Sequence, residues 1–463
     1  MMDRYKKSQE YLTRALKVTP GGAQTLSKRA GRFPQGAYPI VLSSGEGAYV
    51  MDLDGRRYLD MICGLACMTL GYPKHIDSCD IFHATDRPEI NAAITQMLDG
   101  ISFSLAHHLE ADVAEKLCAM IPCAEQVRFV KTGSEANEAA IRIARKATGR
   151  DLILTVGDGY SSWHSWFQIL KPMHPGIPYP YSQMVHSFNY NDLVGLGDSL
   201  QACAVAGYKV AAVILEPCHY DQPKEGFLEG VRSLCTEYGA VLIFDEMVTG
   251  FRWANGGAQE YYHITPDLAT FGKACANGFP LSFVCGKAEL MQHADVVSGT
   301  FGGETLSLAA CNAVLDIYQS EPIIETLWAR GTQLQTGFND LAQVLDVPVV
   351  CDGFAVKPRI LFDIKAQQYL ELKDIPAPRA EASSIEQTKL LAMSLFLQET
   401  ALRGILWHPA GGNVSAAMTE QDIEFALSGM GEALVIVKRA LESGDWSVLQ
   451  GKPIQSTPFV RKS

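Results

Sequence analysis

Two chemically useful residues of this sequence stand at or just beyond the ends of short apolar runs. Lys273 follows Thr270-Phe271-Gly272. An amine in apolar surroundings has a lowered pKa, and the free amine can form a Schiff base with an aldehyde. Asp245 closes the run 241–244, where a carboxylate facing a pyridine nitrogen would keep that nitrogen protonated and the ring an electron sink. Taken alone, the lysine also fits a surface residue that buries only its stem, and the aspartate also fits a cap or an ion pair.

A third feature predicts an anion site. The segment 131–137, Lys-Thr-Gly-Ser-Glu-Ala-Asn, directly follows the run 127–130. Gly133 would permit a tight turn, and Ser134 would open a helix whose free N–H groups and dipole favour a phosphate. The alternative is a plain helix cap with Glu135 in the first turn.

Tyr160 is the fourth feature, and it follows Gly157-Asp158-Gly159 just beyond the run 152–155. Its ring could stack on a flat heterocycle, although an aromatic near a strand end is more often part of the core. The order phosphate turn, aromatic, aspartate, lysine is more specific than any one of the four features.

These residues need a sheet to position them, and the sequence predicts one between about residues 100 and 320. Short, mainly apolar runs of strand length alternate there with helical patterns, such as 137–147 and 227–238. Strands without polar alternation are buried on both faces, so the alternation indicates an α/β fold with a mostly parallel, three-layer sheet. Ligands bind such sheets at the carboxyl ends of the strands. The runs are 127–130, 152–155, 211–215 and 241–244.

The remainder of the chain predicts a second, smaller α+β unit. Residues 3–18 have the pattern of an amphipathic helix that ends at Pro20-Gly21-Gly22, and residues 40–60 that of a β-meander with an Asp-Gly turn at 52–55. A linker rich in proline and charge at 373–379 precedes two helices, near 385–402 and 419–442. We therefore expect three segments: 1–60 as part of the small domain, 61–330 as the large domain and 331–463 as the C-terminal small domain.

Composition excludes several classes of function. The 463 residues carry a net charge of −12 and are 47% hydrophobic, which fits a globular protein and disfavours binding to nucleic acid or an anionic membrane. We expect no membrane span, because no apolar run is long enough. The 12 cysteines are scattered without a Cys-x-x-Cys pair, which favours reduced thiols and a cytoplasmic location over disulfides or structural zinc. No catalytic metal is expected, since His107-His108 is the only adjacent histidine pair.

The ordered motifs resemble those of the class III (ω-type) aminotransferases, which use pyridoxal 5'-phosphate (PLP), and within that class the glutamate-1-semialdehyde aminomutases. The likeness runs from about residue 20 to residue 320 and continues more thinly to the C-terminus. It implies the aspartate-aminotransferase-like PLP fold, small-molecule amine and carbonyl substrates, and a homodimer with shared active sites. The matching segments are 20–22, 45–55, 133–136, 214–217, 244–246, 249–252, 265–268, 272–273 and 299–300.

The resemblance also implies a role for each matching residue. Lys273 would hold PLP as a Schiff base and carry protons, and Asp245 would pair with the pyridine nitrogen. Gly133 and Ser134 would hold the phosphate. The remaining cofactor contacts would be Tyr160 and Met247 on the two faces of the ring, Glu216 beneath it, and Thr300 on the phosphate of the neighbouring subunit.

Departures from the family concern the substrate. Ser161-Ser162 stand where the family usually has His-Gly, Cys63-Gly64-Leu65 replace the aminomutase Ser-Trp-Gly, and Phe301-Gly302-Gly303 follow Thr300. The C-terminal arginine of many class III enzymes has no clear match. A pocket rich in hydroxyl and imidazole donors would suit a polar substrate. The candidate substrate residues are Lys28, Arg29, Ser162, His164 and Glu304.

We therefore predict an aminotransferase that moves an amino group between a donor amine or amino acid and a polar carbonyl compound. An intramolecular 2,1-aminomutase of the glutamate-1-semialdehyde type is the nearest alternative, and racemase or decarboxylase activity is possible on the same scaffold. A non-catalytic PLP-binding protein is the alternative of another class. It would be expected to lack Lys273 or Asp245, and both are present.

Overall fold

The protein, a computed structural model, is described over residues 4–74, 87–157, 160–171, 176–218, 220–364 and 378–455. Most of the predicted linker 373–379, together with Asp158 and Gly159, lies outside these residues. The strands, in chain order, are β1 (Leu42–Glu46), β2 (Tyr49–Asp52), β3 (Arg57–Asp60), β4 (Gln126–Val130), β5 (Leu152–Val156), β6 (Val185–Phe188), β7 (Val210–Leu215), β8 (Val241–Asp245), β9 (Leu268–Phe271), β10 (Ser282–Gly286), β11 (Val349–Phe354), β12 (Lys357–Phe362) and β13 (Ile405–Leu406).

The α-helices alternate with these strands through the middle of the chain and dominate its C-terminal part. In chain order they are α1 (Lys6–Val18), α2 (Pro88–Gln96), α3 (Leu109–Met120), α4 (Gly133–Thr148), α5 (Ser165–Gln168), α6 (Leu193–Val205), α7 (Phe227–Tyr238), α8 (Ala258–Tyr261), α9 (Ala288–Met291), α10 (Thr305–Ser320), α11 (Ile323–Val344), α12 (Pro378–Leu402) and α13 (Glu420–Ser443). A four-residue turn at Cys63–Ala66 is left-handed and is not counted among them.

The chain divides into two compact units. The terminal unit comprises Met1–Leu65, Leu70–Arg87 and Glu325–Val460, and the central unit comprises Ala66–Thr69, Pro88–Ile324 and Arg461–Ser463. The described residues of 1–60 and of 331–455 thus both belong to the terminal unit.

The central unit is built on a seven-stranded sheet with the order β4-β10-β9-β8-β7-β5-β6. Pairings β6-β5, β5-β7, β7-β8 and β8-β9 are parallel, and β10 runs antiparallel to both β9 and β4. Every residue of β5, β7 and β8 is buried, which confirms the expectation from their unbroken apolar runs. The mostly parallel α/β sheet is therefore as the sequence predicts.

One strand differs from that expectation. The run 127–130 forms β4, but none of its residues is fully buried, because β4 is an edge strand paired only with β10. Arg128 interrupts its apolar run and donates from Nε and Nη2 to the carbonyl of Val297, at 3.1 and 2.7 Å. A basic side chain is typical of a sheet edge.

Helix α4 begins where β4 ends, and its sequence explains both of its termini. Thr132 and Glu135 form a reciprocal capping box, and Gly149 ends the helix in the left-handed conformation with φ 64°. Small residues on the inner face, such as Ala139, Ala140 and Ala144, pack in the main apolar cluster with Ile153, Ile214 and Ile243 of the sheet. This packing fixes the N-terminus of α4 relative to the strand ends.

The terminal unit contains the predicted meander. Strands β1, β2 and β3 are antiparallel, and β13 adds to β3 in parallel. The turn after β2 is closed by a hydrogen bond from Gly55 N to Asp52 O at 3.1 Å, with Gly55 at φ 84°. The hairpin β11-β12, helices α1, α12 and α13 and nearly all of α11 also belong to this unit, and α12 and α13 overlap the predicted ranges closely.

Candidate active site

The central sheet brings the predicted catalytic residues to one edge. Asp245 is the last residue of β8 and lies in register with Thr270 of β9. Lys273 follows two residues after the end of β9, and Gly133 opens α4 directly beyond β4. Because β10 alone runs antiparallel, β4, β8 and β9 all end at the same edge of the sheet. These residues therefore gather at the edge where ligands bind α/β sheets.

Asp245 is a buried carboxylate with an unusual protonation equilibrium. It is 2% exposed, its Oδ1 accepts from Met247 N at 3.1 Å, and its Oδ2 accepts from Asn137 Nδ2 at 2.8 Å. Burial, followed by the charge of Glu216, raises the pKa of Asp245 to about 7, against the lowering effects of Lys273 and the two hydrogen bonds. A positively charged, protonated group bound beside Asp245 would stabilise the charged form of this carboxylate, so the site is suited to such a group.

Lys273 is half-buried and has a strained backbone. Its φ is +46°, in the left-handed region, and it opens a short turn that ends before Asn277, which is also left-handed at φ +43°. A residue with a Cβ loses about 1–2 kcal/mol in that region. The positive charge of Lys273 lowers the pKa of Asp245, so the two groups lie within electrostatic range. Strain at such a residue is typical of a functional site.

The start of α4 offers donors to an anion. Of the first four N–H groups, that of Glu135 donates to Thr132 Oγ1 at 3.3 Å and that of Ala136 to Thr132 O at 3.0 Å. The N–H groups of Gly133 and Ser134 remain as the helix's outward donors. The Ser134 hydroxyl accepts from Trp163 N at 3.1 Å, which leaves its own proton available to donate. The plain cap and the anion site therefore coexist, since the cap uses Thr132 and Glu135.

Gly133 is needed for a reason other than the predicted tight turn. It is the first helical residue, not a left-handed turn residue. A Cβ built on Gly133 would lie 2.7 Å from Met247 Sδ, and one built on Gly272 would lie 2.9 Å from the same sulfur. The Met247 thioether thus lies in a slot between the start of α4 and the turn that carries Lys273. The requirement at Gly133 is close approach, not backbone freedom.

The other predicted cofactor contacts lie on loops of the central unit. Glu216 is buried directly after β7, and its charge acts on Asp245. Tyr160 is 44% exposed, and its ring meets Phe167 edge to face at 6.3 Å between centroids. Thr300 is exposed on the loop that precedes α10.

The predicted substrate residues divide into two groups. Ser162 is buried, and its hydroxyl accepts from His164 N at 2.9 Å, while the Glu304 carboxylate caps α10 and accepts from Lys131 Nζ at 2.9 Å. Both side chains thus have hydrogen-bond partners within the chain, and these structural contacts explain the two residues without a substrate. His164, which precedes α5, lies against α4, where its Nδ1 is 3.5 Å from Oε2 of Glu138.

Lys28 and Arg29 belong to the terminal unit and are both exposed. The Arg29 side chain folds against Gly21, where a Cβ would lie 2.6 Å from Arg29 Nε. Arg32 lies nearby: burial lowers its pKa, and the positive charge of Arg29 lowers it further.

Two buried polar residues escaped the sequence-based site, Asn137 and Thr270. Asn137 lies on the inner face of α4 among alanines, and Thr270 lies in an otherwise apolar β9. A polar side chain on a buried face requires hydrogen-bond partners, and that requirement was the available signal.

Comparison with known proteins decides the family. Residues 33–350, more than half of the chain, match the family model "Aminotransferase class-III". The chain belongs to the class III aminotransferases. It is 32% identical to a 3-aminobutyryl-CoA aminotransferase of Cloacimonas acidaminovorans over 446 residues, covering 94% of this chain and 98% of that one. It is 31% identical to a glutamate-1-semialdehyde 2,1-aminomutase of Syntrophobacter fumaroxidans over 449 residues, covering 90% and 95%.

Among solved structures, the FumI protein of Sphingopyxis sp. MTA144, in its PLP internal aldimine form, matches with a TM-score of 0.82 and 26% identity, covering 95% of this chain and 98% of that one. The predicted family, the α/β PLP fold and the PLP cofactor of this class III aminotransferase are thereby confirmed. The chain is an enzyme.

The residues in place fit PLP. The buried Asp245 carboxylate suits a protonated pyridine nitrogen, and the two outward N–H groups of α4 suit a phosphate. Lys273 supplies an amine within electrostatic range of Asp245. These groups would therefore hold the ring nitrogen, the phosphate and the aldehyde of the cofactor.

Proposed function

We propose that this class III aminotransferase moves an amino group between a donor amine or amino acid and a polar carbonyl acceptor, with Lys273 as the residue that holds the cofactor and carries the proton. The observation that carries the proposal is the pairing of a strained, half-buried lysine with a buried carboxylate beside a helix N-terminus. When bound, PLP supplies an electron-accepting ring.

The chain's own residues perform the remaining tasks. Lys273 Nζ would take the proton from the substrate carbon that bears the amine and hold it for its return later in the transfer. Asp245 would keep a proton on the pyridine nitrogen, and Gly133, Ser134 and the dipole of α4 would hold the phosphate. Met247 and Tyr160 would close on the two faces of the ring.

The test is spectroscopic. Wild type, Lys273→Ala and the control Lys146→Ala would be loaded with PLP, and their visible absorption recorded before and after donors are added. Lys146 lies on the outer side of α4 in an ion pair with Asp295, away from the strand ends. The donors would be L-glutamate, L-alanine and 3-aminobutyryl-CoA, the last chosen because a relative is named for it.

We expect borohydride to fix the cofactor to wild type and Lys146→Ala, with mass spectrometry locating it on Lys273, and not to Lys273→Ala. One donor should bleach the visible band and one carbonyl compound restore it. A band that responds only to glutamate-1-semialdehyde, without release of a keto product, would instead favour the aminomutase, the activity named for a 31% identical relative. Cofactor attachment at another lysine would refute the assignment of Lys273.

We further propose a homodimer with shared active sites, in which Thr300 reaches the phosphate of the neighbouring subunit. Thr300 is exposed beside Phe301, which is 60% exposed. The loop joins the segment 100–105, since Thr305 N donates to Ile101 O at 3.0 Å, and Leu105 of that segment is 85% exposed. Exposed apolar side chains on neighbouring segments are typical of an interface. An obligate C₂ pair would bury them.

Subunit complementation tests the shared site. Lys273→Ala and Thr300→Ala chains would be unfolded, mixed and refolded, then assayed together. A mixed dimer rebuilds one complete site from the Lys273 of one chain and the Thr300 of the other, so activity should exceed that of either variant alone. A mixture no more active than its components, or a monomeric mass for wild type, would contradict the proposal.

A cytoplasmic location is part of the proposal. Its support is that the cysteines among the described residues are free thiols, as in compartments that keep cysteine reduced. Across the described part of the chain, no helix is both long and apolar enough to cross a membrane.

A further inference from the structure

A buried hydrogen-bonded chain lies behind Asp245. Asn137 Nδ2 donates to Asp245 Oδ2 at 2.8 Å and to the carbonyl of Ser161 at 2.6 Å. Asn137 Oδ1 accepts from Thr270 Oγ1 at 2.6 Å. Asn137 and Thr270 have no solvent exposure, so water does not compete for these contacts.

The chemistry of the partners sets the orientation of the Asn137 amide. A carboxylate and a backbone carbonyl are both acceptors, so both require the amide nitrogen, which has two protons to give. The amide oxygen must then face Thr270, whose hydroxyl has a proton to donate. A flipped amide would place its oxygen against those two acceptor oxygens, so Asp245 and Ser161 fix its orientation. Thr270 donates to the amide oxygen in that orientation and so holds the side chain that presents a donor to Asp245.

This donor matters because the surroundings of Asp245 oppose its charged form. Burial and the negative charge of Glu216 act against the carboxylate, while the charge of Lys273 and the N–H groups of Asn137 and Met247 favour it. The Met247 N–H is a backbone group that a side-chain substitution leaves in place. Asn137 is thus a side-chain donor whose removal would change the balance.

The same amide reaches a second element of the site. Ser161 follows Tyr160, so the bond from Asn137 to the Ser161 carbonyl ties the segment after the aromatic residue to the aspartate. One side chain thereby couples the position of the predicted ring-stacking residue to that of the predicted ring-nitrogen partner.

We propose that Asn137 and Thr270 are positioning residues for the cofactor, in which the Thr270 hydroxyl holds the Asn137 amide in place and the amide holds Asp245 charged and aimed at the pyridine nitrogen. The inference depends on the cofactor and not on the identity of the amine substrate. Its failure is therefore distinguishable from failure of the proposed amino transfer.

The decisive variants change one hydrogen-bonding group or one methyl group each. Asn137→Asp keeps an acceptor for Thr270 and removes the amide donor, Thr270→Val removes the hydroxyl, and Thr270→Ser keeps it. Thr400→Val is the matched control, because Thr400 is a fully buried threonine whose hydroxyl bonds only to its own helix, at 3.1 Å from Leu397 O. Each variant would be purified and loaded with PLP, without substrate.

Two readouts would be taken: the dissociation constant of PLP, and the pH dependence of the visible band of the bound cofactor. A carboxylate that loses a charge-assisted donor gains a higher pKa, so the acid-side transition should move upward. We expect Asn137→Asp to shift it by about one to two pH units and to weaken PLP binding roughly tenfold to hundredfold. Thr270→Val should shift it in the same direction by less, while Thr270→Ser and Thr400→Val should match wild type.

Equal titrations and PLP affinities for wild type, Thr270→Val and Thr270→Ser would overturn the proposal. If Asn137→Asp fails to fold, the valine and serine variants at position 270 still decide, because they differ by the hydroxyl and one methyl group. A loss common to Thr270→Val and Thr400→Val, with an unmoved pH transition, would identify a merely structural role and would also overturn it.

Discussion

A substitution at Gly133 isolates the contact between the start of α4 and Met247. A Cβ at this position would lie 2.7 Å from Met247 Sδ and 3.2 Å from its Cγ. Non-bonded heavy atoms pack at about 3.5 Å or more, so the sulfur would have to move by roughly 0.8 Å. Met247 is buried between this residue and Gly272, so it has little room to yield.

The expected magnitude combines two opposing effects. Overpacking of this kind costs about 1–3 kcal/mol, and replacing glycine by alanine in a helix returns up to about 1 kcal/mol. Gly133→Ala should therefore lower the free energy of unfolding by about 1–2 kcal/mol. Met247→Val shortens the side chain and removes the sulfur, so the double variant should recover most of this loss, with a coupling energy of at least about 1 kcal/mol.

The assay is a double-mutant cycle by urea unfolding, with PLP affinity measured in parallel. Since about 1.4 kcal/mol is tenfold in a binding constant, we expect Gly133→Ala to weaken PLP binding roughly tenfold and the double variant to restore it. Gly197→Ala is the control: its Cβ would meet only Leu234 Cδ1, at 3.9 Å, within helix α6. Additive effects of the two substitutions at positions 133 and 247 would refute the reasoning, as would equal destabilisation by Gly197→Ala.

Two further predictions concern His408 and Glu304. Burial lowers the pKa of His408 from 6.5 to about 4, and its ring is bonded as a neutral group between Ser27 O and Ala410 N. The neutral His408 ring therefore contributes its full stabilisation above pH 6.5. As the pH falls from 6.5 toward 4, the free energy of unfolding should decrease by about 3 kcal/mol, because the unfolded chain binds a proton that the folded chain does not. His408→Gln should flatten that part of a plot of unfolding free energy against pH. An unchanged slope would contradict this. Glu304→Ala should lower stability by about 1 kcal/mol through loss of the cap on α10, with KM for the donor unchanged; a tenfold rise in KM without loss of melting temperature would instead restore Glu304 as a substrate contact.

The sequence predicted the elements of this protein well where local pattern and burial agree. The all-apolar runs 211–215 and 241–244 became buried parallel strands, and the Asp-Gly pair at 54–55 became the predicted turn. The prediction that β4 is buried on both faces was wrong, because a strand's place at the edge of a sheet depends on which strands pair and not on its own apolar residues. Pairing across 150 residues leaves no local signature.

The candidate site was predicted in part. Lys273, Asp245 and the start of α4 follow strands in the sequence, and parallel strands necessarily end together, so their convergence was predictable. The reason for Gly133 was not, since the Met247 sulfur that excludes a Cβ comes from a distant loop. Ser162 and Glu304 have the right chemistry for a substrate, but turn and cap contacts account for both side chains.

The sequence by itself determined which chemistry the chain carries: an amine, a carboxylate and a helix start suited to an anion, in an order that predicts PLP. Only the tertiary structure decided how that carboxylate is held, because Asn137 and Thr270 are 133 residues apart and meet only when α4 packs on β9. Hydrogen bonds of this kind form only when the distance between side chains on different elements is correct to within a few tenths of an ångström. Residue order specifies which elements form, and packing alone sets those distances.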